Sequence, residues 1–185
     1  VDAENNHRKV LTDPATNYNL IVFDQALKNN SNVYVTNTNV VRGSNFRDAN
    51  VTASGITLND KSNTYRVSMS GGLSQVFIPA DAENEPSAVR GYKYGISAAK
   101  INGNLQWSVS RGTLDNKFNA NDMGLTIYNN YNNNSAAVSY SIYKPFWVLR
   151  DISGSISVSN QNNFTTHKPQ TANLKSNFSL TTLKY

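Results

Sequence analysis

No cysteine occurs among the 185 residues. That removes disulfide frameworks, Cys-based metal sites and thiol nucleophiles. Histidine is nearly absent: His7 and His167 lie far apart in terminal or loop sequence, and solvated loop histidines are the common case. No run approaches the roughly 18–20 apolar residues that a membrane-spanning helix needs. Helix formers are scarce, while Asn alone supplies about one residue in six. There is no Gly-x-Ser-x-Gly elbow, Walker loop or His-Glu-x-x-His motif. Val1-Asp2-Ala3-Glu4 carries neither a basic stretch nor an apolar core, so no signal peptide opens the chain and Met is missing. It reads as a mature product or a piece of a longer chain.

The net charge is +5. Lys and Arg are scattered, with only His7-Arg8-Lys9 clustered, whereas nucleic-acid binders concentrate charge on one face or helix. A nucleic-acid partner is therefore not expected. Disorder is opposed by 10% aromatic residues and by regular alternation.

What the chain does have is alternation. Leu105, Trp107 and Val109 interleave with Gln106, Ser108 and Ser110. Ile152, Gly154, Ile156 and Val158 interleave with Ser153, Ser155, Ser157 and Ser159. Successive strand side chains point to opposite faces, so each segment builds one apolar and one polar side. Nine strands are predicted, at 17–27, 31–42, 49–58, 64–76, 89–100, 104–112, 135–143, 148–159 and 171–184. Residues 1–16 are read as an irregular N-terminal segment of a single domain over 1–185. In the first strand Tyr18, Leu20 and Val22 share a face. Asn102-Gly103 suggests a type I′ hairpin turn, which needs positive φ at both central positions.

The connections run short and long in turn. Turns at 28–30, 59–62, 102–103 and 144–147 face one rim, and loops at 43–48, 77–88, 113–134 and 160–170 face the other. Outer-membrane barrels have tight periplasmic turns and longer external loops. Strands of 9–13 residues suit a tilted membrane crossing of roughly 9–11 residues, and soluble strands average nearer five or six. The expected fold class is all-β: an antiparallel up-and-down meander forming a section of a transmembrane β-barrel. Bacterial single-chain barrels have even strand numbers, so nine implies part of a larger barrel. Tyr92, Trp107, Tyr143, Phe146 and Trp147 are candidate membrane-interface aromatics.

Chemistry is sparse. Asp115, Asn116, Asn119, Asn121 and Asp122 resemble an oxygen-rich calcium loop, but an EF-hand spacing from Asn119 puts Met123 at a ligand position and Asn130 at the bidentate Glu position. Turn formation is the better reading. No metal, cofactor or catalytic residue is assigned. Asp13, Asp24 and Glu83 are the only acids to nominate for hydrolysis, and their spacing supports none. Asp115, Asn119, Asn121, Asp122, Tyr128 and Tyr131 are candidate surface-loop ligand contacts.

The run Gly91-Tyr92-Lys93-Tyr94-Gly95-Ile96-Ser97 through Asn102-Gly103-Asn104-Leu105-Gln106-Trp107 resembles a hairpin of a family of large Bacteroidetes outer-membrane barrels. So do Phe118-Asn119-Ala120-Asn121-Asp122-Met123-Gly124 and Tyr140-Ser141-Ile142-Tyr143-Lys144-Pro145-Phe146. In that family the barrel is a domain of unknown function that usually follows a family 9-like carbohydrate-binding domain. The resemblance implies the outer membrane of a Gram-negative bacterium, with membrane lipid, assembly machinery or other outer-membrane proteins as partners. It brings no sugar-binding or catalytic residue to this chain. The expected role is passage or surface binding of a ligand, without enzymatic activity. The alternative is a secreted β-sandwich adhesion or glycan-binding module, recognisable by two packed sheets that hide their apolar faces.

Overall fold

In the computed structural model, residues 14–43, 46–80, 84–123, 128–145 and 147–183 are described. His7, Asp13, Asp81, Glu83, Gly124, Phe146 and Tyr185 lie outside them, as does most of the 1–16 segment.

Nine strands run β1 Thr16–Leu27, β2 Ser31–Arg42, β3 Asp48–Asn59, β4 Tyr65–Ile78, β5 Ser87–Lys100, β6 Leu105–Leu114, β7 Tyr131–Ile142, β8 Leu149–Asn163 and β9 Pro169–Thr182. They form one sheet in sequence order. Every neighbouring pair is antiparallel, as in β1–β2 and β8–β9. β1 and β9 are not paired to each other, so the sheet has two open edges. A single 3-10 turn, Asn121–Met123, is the one helical element among the described residues. All strands share one sheet, so the two-sheet sandwich does not occur among these residues.

The register sorts the side chains. Leu58, Val67, Ala98, Val109, Ala136, Val158 and Leu174 form one row from β3 to β9. One residue away, on the opposite face, Asn32, Thr57, Ser68, Ser97, Ser110, Ser135, Ser159 and Asn173 form a polar row from β2 to β9. Hydroxyls pair along it, with Thr57 to Ser68 at 3.2 Å and Ser110 to Ser135 at 2.7 Å. The apolar row is uncovered: Val109 is 47% exposed and Leu174 73%. Along β4 from Tyr65 to Phe77 the apolar face extends ~40 Å at ~3.3 Å per residue, or ~30 Å at a tilt of ~40°.

One expectation gains a face and two change. Tyr18, Leu20 and Val22 pair with Val40, Thr38 and Thr36, which puts them on the polar face; Ile21 and Phe23 occupy the apolar one. The run Leu20-Ile21-Val22-Phe23 has no alternation to read, and pairing with β2 sets its parity. The expected loop at 160–170 shrinks, because β8 reaches Asn163 and β9 begins at Pro169. That breaks the long-short rhythm at its last step. Finally, Asn102 does not have positive φ and Gly103 does, at 90°. Positive φ at two successive residues belongs to Asn29 and Asn30 (59° and 55°), where the Ser31 N–H donates to the Lys28 carbonyl at 3.2 Å.

Candidate functional site

The buried hydrophobic residues are few: Val40, Ala49, Val76, Leu114 and Phe118. Val40, Ala49 and Val76 are register partners on the polar face, beside the long-loop rim. The described residues after β6, 115–123, lie over the polar face beside them instead of standing away from the sheet.

The fold of this segment follows from its first residue. The Asp115 carboxylate accepts the N–H groups of Lys117 (2.9 Å) and Phe118 (2.6 Å). This Asx-type turn reverses the chain at the end of β6. Asp115 is 4% exposed, so its side chain holds the turn. The Phe118 backbone then lies directly on Gly91 of β5, where an added Cβ would stand 2.1 Å from the Phe118 nitrogen. Next, the Asn119 N–H donates to the buried Ser74 hydroxyl at 2.9 Å.

The segment crosses to β2. Arg42 donates to one Asp122 oxygen at 2.6 Å, and Arg47 reaches the same oxygen at 3.2 Å. The Asp122 side chain is 4% exposed and its second oxygen is buried without a partner among the described residues. The return leg is held by the Asn129 amide, which donates to the carbonyls of Asn116 and Phe118 at 3.1 and 3.0 Å. Asn130 takes φ of 68°, and its carbonyl accepts from Phe164 at 3.1 Å.

Between this segment and the ends of β4 and β5 lies a cleft of about 430 Å³. Val76 and Val89 form its floor, Asn116, Asn119 and Asn129 give amides, and Arg47 and Lys117 give positive charge. Tyr128 stands at its edge, 5.4 Å from the Tyr131 ring.

Of the six residues read as loop contacts, Asn119, Asn121 and Tyr128 line this cleft. Tyr131 stands next to it, and Asp115 and Asp122 are committed to holding the segment. Arg42, Arg47, Ser74, Gly91 and Lys93 were not singled out in the sequence. Their partners are distant along the chain, and no local pattern marks them. No group of three or more His, Asp or Glu suited to a metal occurs among the described residues.

The aromatic candidates divide by rim. Tyr92 stacks on Tyr94 (6.4 Å) and meets Phe164 edge-on (5.9 Å) at the loop rim of the apolar face. Trp107, on the same face, pairs in register with Lys100 near the opposite rim. Tyr143 and Trp147 flank the β7–β8 turn, 79% and 82% exposed.

A family model for a domain of unknown function, DUF5916, matches residues 2–185. No curated protein and no solved structure matches the chain.

Proposed function

We propose that this chain, which belongs to the DUF5916 family of unknown function, is a section of a bacterial outer-membrane β-barrel. Its polar face lines a space for passage or binding of a ligand. The observation that carries the reading is the pair of rows: Leu58 to Leu174 apolar and uncovered, Asn32 to Asn173 hydroxyl and amide. Soluble monomers rarely expose so continuous an apolar surface. Among the described residues only five hydrophobic side chains are buried, too few for the core of a soluble domain of this size. In a bilayer the same surface is solvated by lipid chains.

Unpaired N–H and C=O groups on β1 and β9 would be costly in hydrocarbon, so this reading requires further strands to close the barrel. The strands of 10 to 15 residues are long enough to cross. Tyr92, Trp107, Tyr143 and Trp147 take interface positions. The short turns then face the periplasm, and the loops, with the cleft, face outward. Lipid is the first partner, with assembly machinery or other outer-membrane proteins beside it. The host is a Gram-negative bacterium of the Bacteroidetes type, and the role is non-catalytic. The resemblance places a carbohydrate-binding domain ahead of such barrels.

Extraction tests this. The native full-length protein is expected in the outer-membrane fraction, released only by detergent. Recovery in the soluble fraction without detergent would sink the proposal.

A further inference from the structure

We infer that residues 115–123, which follow β6 and lie over the polar face, form a cationic constriction that selects small anionic solutes. This rests on the passage reading above.

Three observations carry it. First, the segment lies across the polar face, over β2 to β5, pinned at Gly91, Ser74 and Arg42. In a closed barrel that position is the lumen, and a segment lying there narrows it.

Second, the charges at this level that have no counter-charge and face the cleft are positive. Asp122 is shared by Arg42 and Arg47, which leaves one unit of positive charge. Lys93 and Lys117 have no carboxylate within ion-pair distance among the described residues. Of the other acids, Asp115 is buried and accepts the N–H groups of Lys117 and Phe118, Asp48 accepts the Arg42 N–H, and Asp24 of β1 and Asp151 of β8 lie on the polar face toward the opposite rim.

Third, Lys93 is held in place. Its stem lies over Gly72, where an added Cβ would come within 2.9 Å of the Lys93 Cε. Its ammonium sits 5.3 Å from the centre of the Phe118 ring. A glycine on one side and an aromatic of the segment on the other fix a cation where the segment crosses the polar face. Lys117 follows one residue before that ring and lines the cleft. Rings of Lys and Arg at a constriction favour anions, because a narrow low-dielectric passage magnifies fixed charge.

The test uses the full-length protein in planar bilayers under a potassium chloride gradient. Chloride is expected to permeate ahead of potassium. The double variant Lys93→Glu/Lys117→Glu is expected to lower the chloride-to-potassium permeability ratio about threefold or more, and Lys93→Gln/Lys117→Gln to lower it partway. Lys28→Glu, on the opposite rim, is expected to leave the ratio unchanged. Heat-modifiable migration of each variant on gels reports that its barrel has formed. A conducting protein whose ratio is unmoved by both double variants would overturn the constriction. A folded wild type that never conducts would overturn the passage reading, and this inference with it.

Discussion

Gly91 is the position where one atom decides the architecture. A Cβ there would come 2.1 Å from the Phe118 nitrogen, and backbone cannot yield as a flexible side chain does. Gly91→Ala is expected to expel the inward segment while leaving the sheet intact. Faster hydrogen exchange at Phe118 and Asn119, with unchanged exchange in β7 and β8, would show it. Asp122 is the second anchor. Removing its carboxylate leaves Arg42, whose side chain is 15% exposed, without a counter-charge. Breaking a pair so buried costs about 3 kcal/mol, so Asp122→Ala is expected to lower the denaturation midpoint and free the segment for proteolysis.

Asp60, in the β3–β4 turn, gives a pH-dependent outcome. Its carboxyl lies below the ordinary value of 3.8 because the Ser62 hydroxyl donates to it, helped by the N–H groups of Tyr65 and Thr64. A lowered folded value means that the turn's stabilisation is complete above pH 3.8 and is lost as pH falls through the folded value. Amide exchange at Thr64 and Tyr65 should accelerate in that range, and Asp60→Asn should remove the dependence.

At the scale of the strand, parity is the controlling variable. Val109 and Ser110 are adjacent, yet they belong to opposite rows. Val109→Lys is expected to cost ~2–4 kcal/mol on a lipid-facing surface near the bilayer midplane, and Ser110→Lys much less. Urea unfolding in lipid vesicles measures both. Where alternation was clean, as in β6 and the first half of β8, the sequence predicted parity correctly and the strand start to within one residue. It failed where polar residues occupy both faces. Asn132, Asn133 and Asn134 pair with Asn162, Gln161 and Asn160 in regular ladder, although Asn is depleted in strands. Side-chain amides that bond across the ladder, such as Asn134 to Asn160 at 3.1 Å, make up part of that deficit. β1 was placed correctly and Tyr18, Leu20 and Val22 do share a face, but apolar residues occupy both faces, so the sequence did not say which one joins the polar row. The cleft was half visible. Its amides and Tyr128 stood out in the sequence, but Arg47 comes from the β2–β3 connection and Val76 and Val89 from β4 and β5, and only the fold brings them together.

At the scale of the whole molecule, the sheet is coherent only if its two faces meet different media. Its sequence-order pairing and antiparallel sense were readable from turn and strand spacing. The inward path of the β6–β7 connection was not, since it depends on contacts such as Asp122 with Arg42, far apart in the chain. On the function proposed above, the apolar row faces lipid and the polar row faces water. The chain has no cysteine, so single cysteines can be placed cleanly. Val109, Ser110, Ile156 and Ser157 would each be replaced by Cys in the full-length protein, labelled with a fluorophore and reconstituted in vesicles. Brominated lipid should quench positions 109 and 156, and aqueous iodide should quench 110 and 157. Equal quenching at neighbouring positions, or quenching of all four from water alone, would contradict the account.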